Sequence, residues 1–463
     1  MASELIERGW DVILLNQFHD IIPGTCIEKV YDTTDEEYAR ILADGHKEAK
    51  KAVNVIAKYA SAKEKEDTIV VVNTTGYERE DIVTLSDQLP GITAVRSGDG
   101  KLRPIQHTEK GLVFFGEKIP AAGYKKFYPV YEEAPKAREE LHKGKKEENA
   151  WDGTYENRFY KVRFNEQMQM VSLIEKSDGR EYIREGMAGN VLCTYEDRPM
   201  NWDNWDIDEY YKRKPYEADW VSAPVIRENG PVETVVEYSL GFGNSTVTQK
   251  VYFYQDLPRI DFAATAQWNT HHVLLRVNFP VEVNASIKSG TYPNENADIG
   301  CHEFTYSVYP HHGGWREART VEMAYDLNVP LFAALCRKGG KTAREGASES
   351  LDGWNKVSCM EGAGKVLPES FVSCDRKECF LETVKRSEDG KDWILRMYEH
   401  HNSHVKAKIR LGISVKQVME CDRLEQPAEE LEIKKGEFTA VFKPYEIKTF
   451  RLVISNTIRV VVG

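Results

Sequence analysis

The 463-residue sequence is 41% hydrophobic and 11% aromatic and carries a net charge of −12. That is enough apolar material for sizeable cores, too much length for one ordinary domain, and not the composition of a disordered chain. The acidity, with no Lys/Arg cluster making a basic face, argues against a nucleic-acid footprint.

The first residues include Glu4, Glu7 and Arg8 and lack a long apolar core, so no secretory leader is expected. No stretch reaches the roughly 18 apolar residues of a membrane span. Eight cysteines are scattered along the chain. Only Cys374 and Cys379 lie close, at a spacing that fits neither a C-x-x-C redox pair nor a zinc knuckle, so buried or free thiols in a reducing cytoplasm are expected.

Residues 1–66 read as helical. Leu5, Ile6, Trp10, Ile13 and Leu14 recur at three- and four-residue steps, which lets one helix face be buried. Pro23-Gly24 ends or bends that segment. Thr34 and Glu37 form a T-x-x-E capping box for a second helix, with Tyr38, Ile41, Leu42, Ala49, Ala52, Val53 and Ile56 as its apolar stripe. This pair exposes too much apolar area alone and needs a partner surface.

From Thr68 the pattern changes to β-branched and aromatic runs separated by Asn-, Thr- and Gly-rich turns, and 67–133 reads as a small β-sandwich. The Lys/Glu-rich stretch 134–150 is a linker. Short strand-like runs then follow without helices of comparable strength, giving a large sandwich over 151–404 and further strands over 405–455. Residues 456–463 form a tail. The fold class is mainly β with an N-terminal helical segment.

Several groups are candidates for chemistry. In "LLNQFHDIIPGT", His19 and Asp20 stand between an apolar run and the Pro-Gly break. A neutral imidazole is a good zinc ligand, and a neighbouring carboxylate accepts hydrogen bonds from a ligand or a sugar hydroxyl. The plainer reading has Asp20 capping the next turn while His19 fills a half-buried gap. "EDRPMNWDNWDIDEYY" gathers Glu196, Asp197, Trp202, Asp203, Trp205, Asp206 and Asp208. Aromatic faces with carboxylates suit a carbohydrate cleft; a surface loop packing its tryptophans on the sandwich fits equally. "YPHHGGW" (His311, His312) and "YEHHNSH" (His400, His401, His404) read as loops, since adjacent strand side chains point apart and neither has the helical spacing of a zinc motif.

"LLNQFHDIIPGTCIEKVYDTTDEEYARIL" resembles the segment that follows the catalytic domain in glycoside hydrolase family 38 α-mannosidases. "VVVNTTGYERED", "IPAAGYKKFYPV", "ENRFYKVRFNE", "GNVLCTYEDRPMNWDNWDIDEYY" and "TYPNENADIGCHEFTYSVYPHHGGW" agree in order, to about Ser455.

The resemblance implies hydrolysis of terminal α-mannosides with retention, using one zinc ion. It also implies a remnant of a three-helix bundle followed by β-sandwiches, the larger one galactose mutarotase-like. His19 would be the last zinc ligand and Asp20 a sugar contact. Asp197, Trp202, Asp203, Trp205 and Asp206 remain substrate-binding candidates on their side-chain chemistry.

Retention requires two carboxyl groups about 5 Å apart. The family's preceding α/β domain, with its His-x-Asp ligands, nucleophile and general acid, has no counterpart here, so the chain alone is expected to be inactive. Relative to the family, strands are also missing near 286–288, as in an internal deletion. The partners implied are α-mannoside glycans and an N-terminal catalytic domain, with homo-oligomers common in the family. The rival from another class is a non-catalytic carbohydrate-binding or interaction module.

Overall fold

The computed structural model describes residues 2–87, 89–131, 150–198, 200, 207–280, 299–338, 341–342 and 367–454. Most of the 134–150 linker, the 286–288 junction and the 456–463 tail lie outside these. The strands assort into two units, 1–49 with 135–318 and 50–134 with 319–463.

The first unit opens with helix α1 (Ala2–Asn16) and the start of helix α2 (Glu28–Ser61). The three- and four-residue apolar spacing does produce α1, but its apolar side faces outward. Trp10 is 58% exposed and Leu14 62%, with Leu5 and Ile6 exposed as well. The capping box is not used as expected, because α2 begins at Glu28, ahead of Thr34. Both of its polar side chains instead grip Asn16. The Thr34 hydroxyl donates to Asn16 Oδ1 at 2.7 Å, and Asn16 Nδ2 donates to Glu37 at 3.0 Å. The same Nδ2 also donates to the Val12 carbonyl at 2.9 Å.

The rest of this unit is antiparallel sheet. Five strands lie in the order Asp219–Asn229, Glu233–Phe242, Ser245–Tyr254, Ile260–Trp268 and Gly300–Val308. A three-stranded sheet joins Thr154–Glu156, Tyr160–Phe164 and Met170–Glu175. A second joins Val191–Glu196 to Pro215–Tyr216 and Val273–Asn278. Alternate residues point inward, and Tyr160, Val162, Phe164, Val236, Val251, Phe253 and Phe262 meet in one core. Inside it, Asn190, Tyr238, Gln249 and Tyr306 satisfy one another: Asn190 Nδ2 donates to Gln249 at 2.9 Å, and Gln249 Nε2 to the Tyr306 hydroxyl at 2.8 Å. A closed set of this kind avoids the penalty of burying unpaired polar groups.

In the second unit an eight-stranded sheet runs Lys341–Thr342, Phe332–Arg337, Thr68–Asn73, Gly123–Tyr131, Ile92–Ser97, Leu102–Thr108, Gly111–Ile119 and Arg79–Leu85. Ile69 and Val71 share a core with Val83 and Leu85 from its far edge, so the sheet folds over on itself as a sandwich. The strands thus group differently from the 151–404 and 405–455 segments read from sequence. Phe332–Arg337 pairs with Thr68–Asn73, Thr68 opposite Cys336. Strands from Val372 onward build a separate sandwich. Its sheets are Val372–Cys374, Val405–Leu411, Glu437–Phe442 and Cys379–Arg386, Trp393–Glu399, Ile447–Ile454, Val415–Cys421, Pro427–Leu431. Leu395, Met397, Ile409, Phe438 and Phe450 fill the space between them.

Helix α3 (Thr320–Asn328) also belongs to this unit and was not signalled by apolar periodicity. Its inward residues are acids, Glu322 and Asp326, one turn apart on one face. Glu322 meets Arg319 at 3.2 Å, and Arg79, from the "NTTGYERED" turn region, answers Asp326. Its side chain is fully buried, 2.7 Å from Asp326 and 2.6 Å from Asp81, and donates to the Val329 carbonyl at 2.6 Å. Tyr77 adds a 2.8 Å bond to Asp326.

Candidate functional site

The segment 17–25 is a tight turn that leaves α1 and reverses toward α2. Gln17 N–H donates to the Ile13 carbonyl, Ile21 and Ile22 N–H to that of Phe18, and Gly24 N–H to that of Ile21. Gly24 has φ +81°, a left-handed conformation that favours glycine after Pro23. The turn is closed by Thr25, whose N–H and hydroxyl both donate to the Asp20 carbonyl, at 3.1 and 2.9 Å. The backbone of Asp20 therefore makes the cap, and its carboxylate is left to face outward.

His19 sits at the crest with its side chain 76% exposed. Its Nε2 lies 3.6 Å from Asp20 Oδ2, and its ring packs against Phe18 with centroids 4.3 Å apart. The ring does not fill a half-buried gap. Downstream, burial pushes the Cys26 thiol up, and the charge of Asp20 adds to the shift.

As metal donors, His19 and Asp20 make a partial set: one imidazole and one carboxylate, where zinc takes about four ligands. Among the described residues no three His, Cys, Asp or Glu side chains converge as a metal site would require.

Asp197 follows the Val191–Glu196 strand, half-buried, with its N–H donating to the His272 carbonyl at 2.8 Å. The excursion beyond it is clasped at its base. Met200 N–H donates to the Asp208 carboxylate at 2.7 Å, and the Tyr210 hydroxyl to the Arg198 carbonyl at 2.7 Å. Lys214 pairs with Glu196 and holds its carboxyl below the usual range. Trp202, Asp203, Trp205 and Asp206 lie outside the described residues, so only the roots of this loop are placed.

The other candidate histidines, His311, His312, His400, His401 and His404, sit in loops. His311 and His312 have separate partners: the His311 ring packs on Tyr309 with centroids 5.1 Å apart, while the His312 ring meets Asp178 at 3.1 Å. Both border a cavity of about 310 Å³ in the first unit, together with Arg158, Phe159, Lys176 and Tyr309. His400 is only 7% exposed, and its Nε2 is held 2.9 Å from the Lys377 carbonyl.

Asn16 was the residue in this stretch that the sequence reading passed over. An amide directly after an apolar helical run, with Thr and Glu three apart on the next helix, was the available signal.

Three family profiles match along the chain: the alpha mannosidase middle domain over 1–56, the glycosyl hydrolases family 38 C-terminal domain over 155–298, and the family 38 C-terminal beta sandwich domain over 379–450. The chain belongs to glycosyl hydrolase family 38.

Among family relatives, the chain is 24% identical to alpha-mannosidase 2C1 of Homo sapiens, with 97% of the chain and 45% of the relative aligned. It is 22% identical to alpha-mannosidase G of Dictyostelium discoideum, over 98% of the chain and 48% of the relative. The chain thus spans less than half the length of these relatives. An alpha-mannosidase crystal structure from Enterococcus faecalis V583 superposes with a TM-score of 0.67 at 13% identity, covering 97% of this chain and 63% of that one. At that identity the likeness concerns the fold. Among the described residues no helix is long and apolar enough to cross a membrane.

Proposed function

We propose that this chain supplies the middle and C-terminal parts of a zinc-dependent, retaining α-mannosidase acting on terminal α-mannosides of glycans in the cytoplasm. The observation that carries the reading is the His19–Asp20 turn. It presents an exposed imidazole and carboxylate at the end of a helix whose apolar side is uncovered. A ligand-type side chain on a rigid turn, beside an open hydrophobic face, suits a site completed by another folded part. That part is the family's N-terminal catalytic domain, which covers α1 and brings the nucleophile, the general acid and the other metal ligands.

Zinc would be held through the His19 imidazole and would supply a Lewis acid that grips two vicinal sugar hydroxyls. Asp20 accepts hydrogen bonds from those hydroxyls. Asp197 sits at the root of the segment that carries Trp202, Asp203, Trp205 and Asp206, the candidates for contacting the glycan. Among the described residues His19 and Asp20 have too few companion donors for tight zinc binding, and this reading gives the carboxyl pair for retention to the N-terminal domain.

The test incubates the purified chain with zinc and an aryl α-mannoside, alone and with the N-terminal portion of a family 38 relative. The chain alone stays at blank, the combination turns over, and His19→Ala returns the combination to blank. Turnover by the chain alone, or an unaffected His19→Ala combination, overturns the reading. Glycan binding by the chain alone that survives a chelator would instead favour a binding module.

A further inference from the structure

In the second unit, the C-terminal sandwich carries the two cysteines that lie close in sequence at a spacing of no standard redox or zinc motif. Cys374 ends the strand Val372–Cys374, opposite Ile409, and Cys379 begins Cys379–Arg386, opposite Glu399. They belong to different sheets of the sandwich and flank a four-residue turn, Asp375 to Glu378.

The turn is held on both sides. Asp375 N–H donates to the Lys408 carbonyl at 3.1 Å, and Lys408 N–H returns a 2.7 Å bond to the Asp375 carboxylate. On the other side, His400 N–H donates to the Glu378 carbonyl at 3.0 Å. This anchoring fixes the backbone on either side of both cysteines.

Both thiols line a cavity of about 370 Å³, with Tyr77, Ser373, Arg376 and Phe380 among its walls. Cys374 is half-buried and Cys379 buried, so the two have unequal access to whatever enters.

We propose that Cys374 and Cys379 form a thiol–disulfide exchange site that takes small-molecule disulfides from this cavity. Cys374 is the attacking group. The hydrogen bond from Cys379 holds its thiol below the ordinary range against the opposing effect of burial, and the Arg376 backbone N–H helps. Cys379 is the resolving group; donating its proton toward Cys374, together with burial, pushes its own thiol up.

In the first step the Cys374 thiolate attacks one sulfur of the small disulfide. A mixed disulfide forms, and one small thiolate leaves and takes up the proton that Cys374 lost. In the second step Cys379 gives up its proton and attacks the Cys374 sulfur, releasing the second small thiol. Two protein thiols are oxidised to one disulfide and the small disulfide is reduced to two thiols, so atoms and electrons balance. The new bond links the two sheets of the sandwich across the turn.

The test treats the full chain at neutral pH with 2-hydroxyethyl disulfide and maps the digested thiols by mass. The wild-type chain is expected to lose the thiols of both Cys374 and Cys379, whatever adduct the exposed Cys301 takes. An adduct appears first on Cys374, then gives way to a 374–379 cross-linked peptide lighter by two hydrogens, which dithiothreitol reverses. Cys379→Ser stops at the Cys374 adduct, and Cys374→Ser leaves Cys379 unmodified over the same time. Labelling confined to exposed Cys301, a first adduct on Cys379, or a Cys374 adduct that never resolves in the wild type overturns the proposal. Because the wild-type map decides the order of events, a serine variant that folds poorly does not remove the test.

Discussion

Helices α1 and α3 invert the usual relation between side-chain chemistry and burial. α1 carries Leu5, Ile6, Trp10 and Leu14 on its exposed side, while α3 turns Glu322 and Asp326 into the interior. The difference lies in what the surrounding chain supplies. α3 is met by Arg79, which pairs with Asp326 at 2.7 Å and with Asp81 at 2.6 Å, so Asp326 is compensated where it sits, while Glu322 meets Arg319 of its own helix start at 3.2 Å. α1 is met on its inner side by α2, through Asn16, Thr34 and Glu37, and on its outer side by nothing among the described residues. One helix is finished by its own chain; the other leaves its apolar side chains exposed among the described residues.

The largest effect expected from this contrast is at Arg79. Arg79→Ala leaves Asp81 and Asp326 buried without their cation and should destabilise the second unit by about 3–5 kcal/mol. Chemical denaturation of the full chain, followed by a probe in residues 319–463, should show that loss. A change under about 1 kcal/mol would mean that the knot around α3 contributes little beyond packing.

These two helices also show how much could be read without coordinates. The β class, the opening helices and the strand-rich sandwiches follow from local periodicity, and alternation such as Val405 to Leu411, buried at every second residue, is a signal a single strand carries by itself. α3 escaped because its inward residues are charged, so apolar periodicity is blind to it. Its burial depends on Arg79, far away in sequence. The pairing of Phe332–Arg337 with Thr68–Asn73 was hidden for the same reason: no local pattern says which sheet a strand will join.

At the candidate site, the motif containing His19 could be read, but not the orientation of its ring. Capping by Asp20 was expected through the carboxylate and is made by the carbonyl. That exchange is what leaves the carboxylate facing outward beside the imidazole.

A smaller effect is expected where α1 joins α2. Asn16 is buried and uses both ends of its amide, accepting from Thr34 and donating to Glu37 and Val12. Asn16→Ala removes these bonds and leaves the Thr34 hydroxyl and Glu37 carboxylate to find new partners, at a cost of about 1–3 kcal/mol. The loss is local, so hydrogen exchange over α1 and the 17–25 turn should speed up, while amides of the second unit keep their protection. Equal acceleration across both units would show that the helical segment is coupled to the whole fold.

The smallest effect on the chain itself is expected on the uncovered side of α1, and its smallness is informative. Leu14 is 62% exposed, so Leu14→Ser removes apolar surface that is already in water and should shift stability by no more than about 0.5 kcal/mol. If the N-terminal catalytic domain covers this face, the same substitution weakens association by about 1.5–3 kcal/mol, the cost of losing a buried leucine side chain. Thermal unfolding of the chain and titration with the N-terminal portion of a relative separate the two quantities. A large loss of stability with no change in association would place the cover for Leu14 within the chain itself. A near-zero change in the first and a clear loss in the second identifies α1 as an interface built for another part of the enzyme.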